Sequence, residues 1–153
     1  MIFNLVDCEL EASAHPRDGH RFLRAMLGQA AGATHTGCSL YELPPGETAW
    51  AYHYELNREE WLIVVAGEIV VRTPSGEQTL RAGDVTSFPV GEQGAHQVRN
   101  DSSAPARFAM PSSWAGDGYV AVRPESNTAL IVGPGFRRIV PLDDDLGYWE
   151  REP

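Results

Sequence analysis

The chain is poor in cysteine, poor in positive charge and free of long apolar runs. Its 153 residues hold two cysteines, Cys8 and Cys38, far apart in sequence. So few do not make the disulfide framework of a small secreted domain, and the expectation is two reduced thiols in a cytoplasmic protein. The opening MIFNLVDCELEASAHPRDG has no basic leader followed by an apolar run, so it does not read as a signal peptide. No segment has the apolar length that a membrane-spanning helix requires. Twelve basic residues stand against twenty-one acidic ones, a formal net charge of -9. That field repels a phosphate backbone or an anionic bilayer, so neither nucleic acid nor membrane is the expected partner. A convincing helix-period stretch of ordinary length is also missing.

What the chain has instead is punctuation. Fifteen glycines and eleven prolines divide it into short apolar or alternating segments, the pattern of many strands joined by tight turns. Expected strands are Phe3–Val6, Ser39–Leu43, Thr48–Glu55, Trp61–Ala66, Ile69–Thr73, Gln78–Arg81, Val85–Phe88, His96–Arg99 and Ala106–Met110. Tyr119–Val122, Leu130–Val132 and Phe136–Val140 follow in the tail, and Phe22–Leu27 reads as a strand or a helical turn. His15-Pro16 marks a turn, and Asp143-Asp144-Asp145 reads as a solvated charge run. The length suits one all-β domain, a sandwich or barrel. Trp50, Trp61, Phe88, Phe108 and Met110 are its expected core. Gly67, Gly83 and Gly91 are expected to serve turns with positive φ, and Asn100 to brace one.

Polar residues of one kind concentrate between Gly46 and Asn100. On a strand, residues two apart face the same way, so His53 and Glu55 share a face and Tyr52 and Tyr54 the other. If the strand bearing His96 neighbours that of His53, the inward residues meet, and Glu60, at the start of the next strand, closes the group. Two imidazoles with one or two carboxylates make a site for a divalent metal. Two buried carboxylates repel each other, and a cation removes the conflict. The alternative is a proton-sharing carboxyl pair hydrogen-bonded to the histidines. His15, His20 and His35 sit in polar or glycine-rich segments, expected at the surface. His35 with Cys38 is a weaker ligand-like pair.

These positions resemble the two motifs of the cupins, a family of small β-barrels. Gly46, His53-Tyr54-Glu55, Glu60 and Gly67 follow the first motif, with the second histidine replaced by Glu55 and Gly46 one residue further from His53 than usual. Gly83, Pro89-Val90-Gly91, His96 and Asn100 follow the second, with two extra residues before His96. The resemblance implies a double-stranded β-helix, or jelly-roll barrel, of six to eleven strands. Residues 1–30 would form an N-terminal arm, 31–115 the barrel, and 116–153 C-terminal strands and tail packing on it. It also implies a homodimer. By position the metal ligands would be His53, Glu55, Glu60 and His96, holding iron, manganese, nickel or zinc; Glu55 is either a fourth ligand or a catalytic base. The expected partner is a small molecule. The expected function is a metal-dependent enzyme of the dioxygenase, isomerase or decarboxylase kind, acting on a weakly charged metabolite. The alternative is a non-catalytic barrel that binds a sugar-like metabolite, with a structural metal or none.

Overall fold

The computed structural model of the chain describes residues 1–13, 17–113 and 118–143. His15 and most of the 143–145 acidic run lie outside them. Among the described residues, thirteen short strands form three antiparallel sheets. The largest has the order β1 (Glu11–Ala12), β2 (Leu23–Met26), β3 (Thr36–Leu43), β10 (Ala106–Ser113), β5 (Glu60–Ala66) and β8 (Val85–Phe88). The second runs β13 (Phe136–Pro141), β12 (Thr128–Gly133), β11 (Tyr119–Arg123) and β4 (Tyr54–Glu55). The third runs β7 (Gly76–Arg81), β6 (Glu68–Thr73) and β9 (Gln97–Arg99). The all-β, jelly-roll architecture expected from the sequence is the one found. Its strand count exceeds the expected range because the tail adds three strands and two segments are only two residues long.

Period-two alternation explains why the middle of the largest sheet is buried on both faces. Leu62 and Val64 of β5, Tyr41 and Leu43 of β3, and Phe108 and Met110 of β10 face the barrel interior, with Ile69, Val71 and Val98 from the third sheet. The intervening Leu40, Ile63, Val65 and Ala109 face outward, where Phe3, Leu5 and Leu10 cover them. A strand buried on both sides reads as a continuous apolar run, and β5 does.

Three local expectations need correction. Phe3–Val6 is not a strand. The Asn4 side chain accepts from the Val6 N–H at 2.8 Å and its carbonyl accepts from the Cys8 N–H at 2.9 Å, so local polar bonds turn the chain there. Phe22–Leu27 is both of its alternatives: β2 leads directly into a one-turn helix, α1 (Leu27–Ala30). Thr48–Glu55 is strand only at Tyr54–Glu55. Upstream, the Trp50 carbonyl accepts from Gln97 Nε2 at 3.1 Å and the Ala51 carbonyl from His53 Nδ1 at 2.9 Å. Side chains thus take acceptors that a ladder would use. Single bridges, Thr48 to Arg99 and His53 to His96, still hold the segment against the β9 region.

The turns match their residues. Gly67, Gly83 and Gly91 have φ of 74°, 95° and 88°. Gly67 is doubly constrained, because a Cβ there would lie 2.9 Å from the Pro105 carbonyl oxygen and 3.0 Å from the Ala106 Cα. Gly67→Ala is expected to lower unfolding free energy by about 1–3 kcal/mol, measured by urea denaturation; an unchanged midpoint would refute this account of the turn. Asn100 is fully buried. Its Nδ2 donates to the Leu43 and Ala104 carbonyls at 2.8 Å each, and its Oδ1 accepts from the Ser102 N–H at 3.0 Å. It ties the β9 exit to the end of β3.

Candidate metal centre

Three side chains from three chain segments converge inside the barrel. One ligand atom each from His53, Glu60 and His96 lies within 4.8 Å of the other two. His53 precedes β4, Glu60 opens β5, and His96 precedes β9; the mutual backbone bonds of His53 and His96, at 3.1 and 2.8 Å, bring the two imidazoles side by side. Their ring centroids are 4.7 Å apart. Glu60 is buried while its neighbour Glu59 is exposed, so the strand register aims the former inward.

The tautomers are set by backbone. His53 Nδ1 donates to the Ala51 carbonyl and His96 Nδ1 to the Gly94 carbonyl, each at 2.9 Å. A carbonyl only accepts, so each Nδ1 carries the proton and each Nε2 a lone pair. Burial then suppresses further protonation. It pushes the His53 pKa down to about 4, helped by Arg58 and Arg123, and that of His96 down to about 3, helped by His53. Both rings are therefore neutral at physiological pH, the form that binds metal. His96 is further fixed by Phe88, stacked at 3.7 Å between centroids with 9° between planes. Gly94 has no room for a side chain: a Cβ would sit 1.8 Å from the Pro89 carbonyl oxygen. The loop's tight packing there delivers the carbonyl that orients His96.

The donor set fits a divalent ion. Donors bonded to one ion at about 2.0–2.2 Å stand about 3–4 Å apart, so shifts below about 1 Å would close this group. His96 Nε2 is buried and has no hydrogen-bond partner among the described residues. An orphaned lone pair inside a barrel is costly unless something binds it.

Glu55 is placed differently. It is only 4% exposed and shares the face of His53, with 3.9 Å between its Oε1 and His53 Nε2. It does not belong to the three-residue group. Its Oε1 instead accepts from Arg58 Nη2 at 2.7 Å, and the same Nη2 lies 3.1 Å from Glu60 Oε1. Glu60 keeps its other oxygen 3.6 Å from His96 Nε2. Burial pushes the Glu55 pKa up to about 7 against the pull of Arg58, and raises that of Glu60 as well.

Arg58 is the residue that sequence reasoning missed. It lies in the turn between β4 and β5, where an arginine reads as solvated surface. Instead its guanidinium stacks over the Tyr119 ring at 4.0 Å and separates the two carboxylates. The repulsion between Glu55 and Glu60 is thus already relieved by a side chain. The one available signal was charge: two inward glutamates flanking a basic residue. The expected core also needs one correction. Trp61 is 48% exposed, because β5 turns Glu60 and Leu62 inward and so turns Trp61 out. Trp50, Phe88, Phe108 and Met110 do belong to the core or pack on it. His35 is exposed and joins no ligand group among the described residues.

The centre opens on a cavity of about 220 Å³ whose wall includes His53, Glu55, Arg58, Glu60, Trp50 and Tyr119. A larger one of about 560 Å³ lies beside it, with Cys38, Ser39, Ser112 and Ser113 in its wall. The two share Arg24, Tyr41, Arg58, Glu60, Met110 and Tyr119.

Comparison with known proteins agrees with this geometry. A family model described as cupin domain matches residues 39–111, which include every residue of the candidate centre. Comparison with curated proteins gives no match. Among solved structures, a sugar phosphate isomerase of the cupin superfamily from Silicibacter pomeroyi superposes with a TM-score of 0.81 at 24% identity, over 98% of this chain and 99% of that one. A candidate sugar phosphate isomerase from Acidithiobacillus ferrooxidans gives 0.81 at 23% identity, over 93% and 90%. A predicted oxalate decarboxylase from Thermotoga maritima gives 0.60 at 19%, over 74% and 98%. At these identities the likeness is one of fold. With its antiparallel jelly-roll sheets and a cupin-domain match over residues 39–111, which hold the strands that build the centre, the chain has a cupin-type barrel.

Proposed function

We propose that the protein is a divalent-metal-dependent enzyme in which His53, Glu60 and His96 hold the ion and Glu55 moves a proton on a small metabolite. The observation that carries this reading is the convergence of two neutral imidazoles with Glu60, the buried His96 Nε2 standing without a partner among the described residues 3.6 Å from that carboxylate. A divalent ion there supplies Lewis-acid polarisation of a substrate oxygen. Glu55 suits a proton-transfer role better than a ligand role. It stands outside the three-residue group, its Oε2 has no partner among the described residues, and a pKa near 7 matches a general base at neutral pH. In an α-hydroxy carbonyl, a base takes the proton from the hydroxyl-bearing carbon and returns it to the carbonyl carbon while the hydroxyl proton passes to the former carbonyl oxygen, which is isomerisation. The isomerase name carried by the Silicibacter pomeroyi neighbour is consistent with that reaction class, though the fold hosts others.

Glu55→Gln and Glu60→Gln test the division of roles. Elemental analysis after purification without a histidine tag is expected to show Glu55→Gln holding metal within about twofold of wild type, while Glu60→Gln loses at least about tenfold in affinity. Proton transfer is read by deuterium uptake from D2O into a panel of aldoses and aldose phosphates, followed by NMR. Wild type should exchange at one carbon and Glu55→Gln should not. Metal loss in Glu55→Gln would return that residue to the ligand set.

A second reading is a binding barrel without catalysis or metal. It has one observation in its favour: Arg58 already supplies positive charge between the carboxylates. A chain that stays metal-free after incubation with iron, manganese, nickel and zinc would decide for it. The homodimer and the cytoplasmic setting belong to the proposal too. Trp61 and Val85, 48% and 54% exposed on the paired strands β5 and β8, favour a covered sheet face. Cys8 and Cys38 are both free thiols, as a reducing compartment would keep them. Light scattering is expected to give twice the 16.8 kDa chain mass.

A further inference from the structure

The outer wall of the 220 Å³ cavity is out of character for this protein. Four of the twelve basic residues of a chain with net charge -9 line it: Arg24, Arg58, Arg123 and Arg137. Arg24 comes from β2, Arg58 from the turn before β5, Arg123 from the end of β11 and Arg137 from β13. Four separate segments therefore bring one charge sign to one opening. Among the described residues, Arg58 alone of the four has a carboxylate within 4.0 Å. Of the other described arginines, Arg21, Arg72, Arg81, Arg99 and Arg107 each pair with an acid, and Arg17 and Arg138 do not.

Like charges round a cleft repel, and a folded chain rich in carboxylates has ample means to neutralise them. Three guanidiniums without a carboxylate among the described residues favour the entry of an anion. Arginine presents a planar fork of donors that matches phosphate and carboxylate oxygens two at a time. Low-dielectric walls concentrate that field and attract small anions.

We infer that Arg24, Arg123 and Arg137 form a docking site for the phosphoryl group of a sugar-sized phosphomonoester whose other end reaches His53, Glu55 and Glu60. This deepens the proposed function and rests on its placement of the reacting end. It reverses the weakly charged metabolite expected from the sequence, since the arginines add positive charge that the metal centre alone does not carry. Space is adequate. Small-molecule sites commonly enclose about 300–1,000 Å³, and the 220 Å³ cavity reaches that only with the adjoining 560 Å³ chamber, which meets it at the Arg58–Glu60 wall. The chamber's hydroxyls, from Thr34, Thr36, Ser39, Ser112 and Ser113, are groups that hydrogen-bond a polyol.

Isothermal titration of the purified chain with glucose, glucose 6-phosphate, inorganic phosphate and malonate tests the assignment. The ester is expected to bind at least tenfold more tightly than glucose, and phosphate more tightly than malonate. Arg123→Met/Arg137→Met is expected to bring ester and glucose within about twofold of each other with metal content unchanged. Should that variant fail to fold, Arg123→Lys/Arg137→Lys keeps the charge and removes the fork, and a several-fold loss for the ester is expected. Equal binding of glucose and its phosphate, equal binding of malonate, or undiminished discrimination in the lysine variant would each overturn the phosphoryl site. The His96→Gln chain separates this inference from the metal reading. Phosphate binding that persists without metal supports the arginine site, whereas phosphate binding that vanishes with the metal assigns the anion to the ion and overturns it.

Discussion

His96→Gln is expected to abolish stoichiometric metal. Removing an outer-shell partner of a metal ligand costs about 10–100-fold in affinity, and removing one of three protein ligands should exceed that range. The glutamine keeps a polar group of similar reach but loses the aromatic plane stacked on Phe88 at 3.7 Å and the fixed Nε2 lone pair. Elemental analysis of both proteins, prepared side by side, reads the effect. A His96→Gln chain that still carries near one ion would show that the ion, if bound, lies elsewhere.

The same variant isolates the acid response of this imidazole in metal-free protein. In the unfolded chain His96 takes a proton near 6.5; in the folded chain burial holds its pKa down to about 3. A depressed folded pKa gives stability that is complete above 6.5 and declines as pH falls towards 3, because the unfolded state then binds the extra proton. The wild-type advantage over His96→Gln should shrink by roughly 1.4 kcal/mol per pH unit across that window. Urea midpoints at pH 7, 6, 5 and 4 measure it. A difference independent of pH would contradict the burial account of this ring.

Much of this was legible in the sequence, and the reason lies in which signals are local. Glycines and prolines mark turns by their own backbone preferences, so the strands from Ile69 to Phe88 could be placed from sequence alone. The first-motif spacing from Glu60 to Gly67 pointed to Glu60, and the strand register that turns it inward with Leu62 and Val64 leaves Glu59 exposed. The joint spacing of His53, Glu60 and His96 carried the centre. What failed was decided partly by local side-chain bonds, as at Asn4, and partly by partners distant in sequence. Trp61 looked like core because a continuous apolar run hides its alternation, and the register that turns Glu60 and Leu62 inward puts it outside. The stretch before Tyr54 looked like strand because its aromatic residues favour one, yet Gln97 and the ring of His53 capture its carbonyls. The arginines were invisible for the same reason. Arg24, Arg58, Arg123 and Arg137 share no motif and meet only once the sheets close.

Arg58→Met is expected to be the most destabilising single change at the centre. It removes the guanidinium that stands 2.7 Å from Glu55 and 3.1 Å from Glu60, leaving two buried carboxylates facing each other. Breaking a buried ion pair from one side costs about 3–5 kcal/mol. Methionine keeps most of the volume and the contact with the Tyr119 ring, so lost packing is a small part of the effect. Two rescues distinguish charge from packing. Glu55→Gln in the Arg58→Met background removes one of the opposed charges and should recover more than half of the loss, giving a coupling energy well above the 0.3–0.5 kcal/mol scatter of independent sites. A divalent ion at His53, Glu60 and His96 would take over the compensating role, so adding zinc or manganese should raise the melting temperature of Arg58→Met more than that of wild type. Equal shifts would place the ion away from Glu60. A loss below about 1 kcal/mol, with no coupling to Glu55, would mean that the two carboxylates share a proton and that Arg58 is only packed against them.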